Sequence, residues 1–255
     1  MRIAVAGKGG AGKTTIAATL ARLLARTGRD VVAIDGDSNP NLAAALGIAA
    51  TARHAALPPR VVSRRSSGPA LTVSVDELLG AHAVVGPDGV RTVLMGGPAH
   101  ADEGCLCSAH ATVAALLEDL GGRPDAVVVV DMEASPEHLS RGTTRSVDAL
   151  LLVTEPYYRS LETVTRLAAL ARELRIARLA VVANKVRGRA DAEAVAEFCA
   201  RHDLDLIAVV PRRDAVVDAD VAGISLLDYA ESATQHDMDD VIAALASLGS
   251  ALTAR

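Results

Sequence analysis

Apolar positions in this chain come in short runs more than in alternation. Residues 2–6 alternate little and are mainly apolar, running into Gly7, which predicts a strand buried on both faces. From Thr14 to Thr27 the spacing becomes helical, with Ile16, Leu20, Leu23 and Leu24 on one side. Gly28 follows, a residue suited to the left-handed cap of a helix. Val31 to Ile34, ending at Asp35, is the next expected strand. Strand, loop, helix and strand in this order predict a βαβ unit with a right-handed crossover and parallel pairing. Further apolar runs at Ala126–Val130, Ala149–Val153, Leu179–Ala183 and Leu206–Val210 alternate with helical patterns around residues 160–174, 190–202 and 234–248. The expected fold is α/β, a mostly parallel sheet flanked by helices on both faces.

Two stretches leave this rhythm. Residues 50–80 read as irregular, with Pro58, Pro59 and a Ser-rich part in which Arg60, Arg64 and Arg65 suggest a solvated loop. Val84-Val85, the turn Gly86-Pro87-Asp88-Gly89 and Val90 to Leu94 read as a β-hairpin added to the sheet edge. No break divides the chain, so residues 1–255 are expected to form one domain.

Composition narrows the partners. Half of the residues are hydrophobic but only 2 % are aromatic and none is Trp, so the core must be built from Ala, Val and Leu. The net charge of −5 lacks the basic footprint of a nucleic-acid binder. No apolar stretch is long enough to span a bilayer, and the first apolar run is too short for a signal peptide. The expected compartment is the reducing cytoplasm, where the three cysteines suggest metal or redox work more than a disulfide.

The strongest motif is Gly7-Lys8-Gly9-Gly10-Ala11-Gly12-Lys13-Thr14, which fits the phosphate-binding pattern G-x-x-x-x-G-K-[ST]. Backbone amides of Gly9, Gly10, Ala11 and Gly12 can close around phosphates, and the helix that follows, through Thr14 and Thr15, adds its positive end. Lys13 would reach the β- and γ-phosphates, and the Thr14 hydroxyl would bind Mg²⁺. With its second lysine, the run from Lys8 to Thr15 resembles the signature of the deviant P-loop ATPases, which include MinD, ParA, the nitrogenase iron protein and maturation ATPases for metalloenzymes. That resemblance implies ATP as the nucleotide and a homodimer when it is bound. It also implies that Lys8 crosses to the partner's nucleotide.

Carboxylates follow at strand ends, where ligands bind in open parallel sheets. In Asp35-Gly36-Asp37-Ser38-Asn39-Pro40, one carboxylate can orient the attacking water and another can hold Mg²⁺ through water. A helix cap or turn made by Asp and Asn is the alternative. The resemblance assigns the water-positioning role to Asp37 and leaves Asp35 for Mg²⁺. Asp131 ends its strand as the Mg²⁺-serving carboxylate of P-loop enzymes does. The stretch Asp131-Met132-Glu133-Ala134-Ser135-Pro136-Glu137-His138-Leu139-Ser140-Arg141-Gly142 resembles the D-T-E-A-G-x-E-H-x-x-R-G segment of the CooC family, ATPases that mature nickel carbon monoxide dehydrogenase. Met132 and Ser135 depart from that pattern. Glu155-Pro156, Ala183-Asn184-Lys185-Val186 and Pro211-Arg212-Arg213-Asp214 follow the same family. The likeness implies that Asn184 hydrogen-bonds adenine and that Lys185, Pro211, Arg212 and Arg213 lie around it.

Cys105-Leu106-Cys107 is the second specific signal. One pair gives two thiolates, whereas a closed tetrahedral ion needs four ligands. Two subunits about a two-fold axis would supply them, as the C-x-C of the CooC family does. Ni²⁺ or Zn²⁺ suits four thiolates, and so does an iron–sulfur cluster. His100 and His110 flank the pair, while Cys199 lies on a helical pattern as an expected core residue. These features imply an ATPase that delivers a metal, nickel by resemblance, to apo carbon monoxide dehydrogenase or a similar client. The competing expectation is a partition or positioning ATPase of the ParA/MinD type. Against it stand the acidic charge and a C-terminal stretch, Asp239 to Arg255, with only one basic residue. A reductase like the nitrogenase iron protein would want two cysteines well apart in sequence.

Overall fold

The computed structural model describes residues 1–52, 55–58, 61–65, 68–96, 107–133, 144–232 and 236–253. Its centre is an eight-stranded sheet in the order β10-β9-β8-β1-β7-β2-β6-β5. The strands are β1 (Arg2–Gly7), β2 (Asp30–Gly36), β5 (Val84–Val85), β6 (Arg91–Leu94), β7 (Ala126–Met132), β8 (Ala149–Thr154), β9 (Arg178–Val186) and β10 (Asp205–Pro211). Every pairing is parallel except that of β5 with β6.

The apolar strand runs reflect burial on two faces. Successive residues of β1, β2 and β7 alternate between two cores: Ala4, Val32, Ile34, Val128 and Val130 enter one, while Ile3, Val5, Val31, Ala33, Val127 and Val129 enter the other. The first core is closed by α4 (Cys107–Leu120), α5 (Tyr158–Glu173) and α6 (Arg189–Arg201); the second by α1 (Lys13–Arg26) and α9 (Asp239–Thr253). Leu20, Leu116 and Leu248 are wholly buried there. Each such side chain contributes about 1.5–3 kcal/mol by leaving water.

The edge hairpin is present. β5 and β6 are joined by a 3₁₀ turn over Pro87–Gly89, and β6 continues the main sheet by pairing parallel with β2. Residues 50–80 depart from the irregular expectation. They contain a two-stranded sheet of β3 (Val62–Arg65) and β4 (Gly68–Leu71), so Arg64 and Arg65 belong to a strand and not a loop. Helix α3 (Val75–His82) follows, opened by a reciprocal capping box in which Ser74 and Glu77 satisfy each other's amides. The final helix also lies further along than the 234–248 pattern, because Leu245, Leu248 and Leu252 prolong its buried stripe. Short helices α2 (Leu42–Ala45), α7 (Asp214–Ala222) and α8 (Leu226–Glu231) complete the described elements.

Candidate nucleotide-binding site

Register places the site. Val5 pairs with Asp131, and Asp131 pairs with Asp35, so two carboxylates stand side by side where β7 and β2 end. The loop leaving β1 arrives beside them. Gly7 has φ 155°, and a Cβ there would meet the Val153 carbonyl oxygen at 2.2 Å. Gly12, at φ 92°, would drive a Cβ to 2.3 Å from Asn184 Nδ2. Both positions therefore demand glycine. The Ala11 amide donates to the Lys8 carbonyl at 3.1 Å, closing the loop into a turn. Helix α1 begins at Lys13, one residue earlier than its spacing suggested, and presents its free amides to the loop.

Lys13 is buried, with 7 % of its surface exposed. A lysine is retained in such a place when an anion is to sit opposite it. The Thr14 hydroxyl lies beside Asp131 and favours its charged form. Burial pushes the Asp131 carboxyl up to about 7; the Thr14 hydroxyl opposes this, Asp35 adds to it and Lys13 opposes it. Its Oδ1 is buried with no hydrogen-bond partner. An orphaned, desolvated carboxylate oxygen next to a threonine hydroxyl suits Mg²⁺, a hard cation that takes oxygen ligands. Asp35 is differently employed. Its Oδ2 accepts from the Leu42 amide at 2.9 Å and its Oδ1 from the Asp37 amide at 3.2 Å, so it organises the segment leaving β2. Burial nonetheless raises its carboxyl above the usual range. Asp37 Oδ1 accepts from the Asn39 amide at 2.8 Å, a local turn that leaves the carboxylate half exposed.

The end of β9 closes over the loop from the other side. Asn184 Nδ2 donates to the Ala11 carbonyl at 2.7 Å, and Lys185 Nζ donates to the Gly10 carbonyl at 2.5 Å. Lys185 adopts φ 56° and also faces Glu155 Oε2 at 3.6 Å. Beyond them lies a pocket of about 320 Å³ that gathers Gly12, Thr15, Asn184, Lys185, Pro211, Arg212 and Arg213. From the sequence, Asn184, Lys185, Pro211, Arg212 and Arg213 were expected around adenine and Gly12 and Thr15 at the phosphates, and the structure sets all seven along one pocket. Its walls are apolar, from Ile16, Val210, Val217 and Leu245, as a planar base requires. These wall residues were missed, since nothing in their local sequence separates them from core. Arg213 is drawn aside to Asp240 of α9.

Lys8 lies half-buried with its Nζ 5.8 Å from the centroid of the Tyr157 ring. The chain has three lysines, Lys8, Lys13 and Lys185, and all three belong to this site. That concentration is a sequence signal the motif reading overlooked. The cysteine pair is only partly described. Cys105 and His100 fall outside the described residues, while the main chain of Cys107 opens α4 and so lies at a helix start. His110 is buried on the same helix. Cys199 is core, 2 % exposed, its thiol pushed up to about 11 by burial.

A glycine loop feeding a helix, a buried lysine, a threonine–aspartate pair and a base-sized pocket define a P-loop nucleotide-binding protein of the parallel α/β type. Residues 3–226 match the profile of the CobQ/CobB/MinD/ParA nucleotide binding domain. The chain belongs to that family, and it is an ATPase. It is 37 % identical over 241 residues to the carbon monoxide dehydrogenase accessory protein CooC of Rhodospirillum rubrum, covering 89 % of this chain and 90 % of that one. An uncharacterized ATP-binding protein of Methanocaldococcus jannaschii is 35 % identical, covering 88 % and 90 %. Among solved structures, the septum site-determining protein MinD of Pyrococcus horikoshii, complexed with Mg-ADP, superimposes with a TM-score of 0.71 at 20 % identity, covering 99 % of this chain and 95 % of that one. A ParA family ATPase of Chlorobium tepidum gives 0.70 at 18 %, covering 98 % of each chain. No described helix is long and apolar enough to cross a membrane.

Proposed function

We infer that this ATPase is a CooC-like metallochaperone. It is a single domain over residues 1–255 that dimerises with ATP and delivers a metal to carbon monoxide dehydrogenase or a related enzyme. The observation that carries the reading is the Cys105-Leu106-Cys107 pair in a chain 37 % identical to CooC. Lys13 neutralises the β- and γ-phosphates from the buried floor of the loop. Thr14 and Asp131 hold Mg²⁺, with Asp35 behind them, and that ion would screen the phosphate charge. Asp37, half-exposed at the rim, positions the attacking water. Asn184 and Lys185 fix the loop and, with Pro211, Arg212 and Arg213, enclose the adenine. Lys8 reaches the nucleotide of the second subunit, which makes closure of the dimer depend on ATP.

Closure would bring two cysteine pairs together, and hydrolysis would part them. The cargo, Ni²⁺ or Zn²⁺, is held by four thiolates and passed to the apo-client. Ligand counting sets the test. Calorimetric titration, checked by elemental analysis, should saturate at one ion per two chains, with affinity falling at low pH as protons compete for the thiolates. Replacing Cys105 and Cys107 with Ser should abolish tight binding while leaving ATP binding intact. One ion per chain would show that each subunit completes its own site, and the shared-interface mechanism would fall.

A further inference from the structure

A closed circuit of side chains leaves the phosphate loop and returns to it. Lys8 Nζ stands over the Tyr157 ring, 5.8 Å from its centroid. The Tyr157 hydroxyl donates to Glu155 Oε1 at 3.4 Å, Glu155 Oε2 faces Lys185 Nζ at 3.6 Å, and Lys185 Nζ donates to the Gly10 carbonyl at 2.5 Å. Tyr157 is fixed as the residue preceding α5, with its amide donating to the Glu155 carbonyl at 2.8 Å. Tyrosine is scarce in this chain, yet Tyr157 and Tyr158 stand together on the loop's rim, 40 % and 77 % exposed.

An exposed tyrosine beside a core costs little to replace. Its ring face is the electrostatic partner that the described residues give the Lys8 ammonium, since a cation is drawn to the negative face of an aromatic ring. The geometry points to Tyr157 as a positioning residue that parks Lys8 within its own subunit until a phosphate of a second copy takes the ammonium. This rests on the dimer reading of Lys8 given above. The parked lysine must give up the ring when it crosses, so parking sets a threshold on ATP-driven closure. An exposed contact of this kind holds the cation by about 2- to 5-fold over release.

The test uses the full chain and a slowly hydrolysed ATP analogue. Tyr157→Leu keeps bulk and removes the ring, and two lysines are released per dimer, so the dimer dissociation constant should fall by about 4- to 25-fold. Tyr157→Phe keeps the ring and should match the natural protein; Tyr158→Leu controls for general loss of aromatic surface. Because only three lysines are present, ¹³C-lysine NMR of the nucleotide-free protein reads the contact directly. The Lys8 ε-methylene should show a ring-current shift that Tyr157→Leu abolishes and Tyr157→Phe retains. No ring-current shift, or an unchanged or weaker Tyr157→Leu dimer, overturns the inference. Lys8→Ala separates the two levels. No effect of Lys8→Ala on dimerisation overturns the dimer reading and this inference with it; a weakened dimer there, with Tyr157→Leu unchanged, overturns this inference alone.

Discussion

Asn184 Nδ2 donates to the Ala11 carbonyl oxygen at 2.7 Å, so one hydrogen bond ties the end of β9 to the phosphate loop. The same nitrogen lies where a Cβ on Gly12 would fall, at 2.3 Å. Gly12→Ala should therefore expel Asn184 from its place and strain the loop at a positive φ. We expect ATP affinity to drop at least tenfold in a fluorescent-nucleotide titration. Asn184→Ala, which removes the bond without a clash, should cost about 1–2 kcal/mol of binding. Affinity within twofold of the natural protein for Gly12→Ala would mean that the loop has room the geometry denies.

Lys13→Ala removes the cation from the floor of the loop, and neither of the other lysines can replace it. Lys185 is engaged with Gly10 and Glu155, and Lys8 sits over Tyr157. Hydrolysis should fall by about 10²-fold or more, the scale at which preorganised charge acts on a transition state. Phosphate release at near-natural rates would show the loop has been misread.

Asp131 makes stability depend on pH in a defined direction. Its carboxyl, moved by burial from 3.8 to about 7, holds a proton in the folded chain that the unfolded chain has released. Over roughly pH 4 to 7 the folded state therefore binds more protons, and stability falls as pH rises. The full effect is about 4 kcal/mol at most. Urea midpoints from pH 5 to 8, in buffer with chelator and no nucleotide, should show this slope, and Asp131→Asn should lose it. An Asn variant with the same slope would place the titrating group elsewhere.

The parts of this fold that read easily were those where local chemistry decides. Strands β1, β2, β7 and β8 are buried on both faces, so their Val, Ile, Leu and Ala runs announce them. The phosphate loop is legible because glycine, lysine and threonine each answer a need of the backbone or the phosphate. Helix α3 was missed although Ser74 and Glu77 spell its capping box; the Pro- and Ser-rich residues before it coloured the whole stretch. Helix α7 was missed for a different reason. Val217 and Val221 are 55 % and 83 % exposed, so its apolar residues do not trace a buried stripe. Arg22 defeats local reading altogether, because its side-chain partners lie 66, 203 and 206 residues away.

That arginine carries the fourth prediction. Arg22 is 3 % exposed, its Nε donating to Asp88 at 2.6 Å and its two terminal nitrogens to Ser225 at 2.6 Å and Asp228 at 2.8 Å. Burial pushes the Asp88 carboxyl up, but Arg22 and Arg26 together hold it below its ordinary value. Arg22→Ala leaves these groups facing a cavity without their cation. Removing one partner of a buried pair costs about 3–5 kcal/mol; Asp228 is partly exposed, so we expect about 2–4 kcal/mol by urea denaturation. A loss below 1 kcal/mol would mean that water replaces the guanidinium at no cost.

The same guanidinium decides which part of the machine stands still. Through Arg22 and Arg26, α1 is bolted to the Asp88 turn of the edge hairpin and to α8. At its other end, the loop that feeds it is gripped by Asn184 and Lys185. Asp37 has a lighter hold, its carboxylate accepting from the amide two residues on and its own amide donating to Asp35 Oδ1. Turning α1 would break several ion pairs at once, whereas moving Asp37 breaks two hydrogen bonds. The phosphate-binding helix is thus the anvil of this ATPase, and whatever strokes follow nucleotide binding fall to the segment leaving β2.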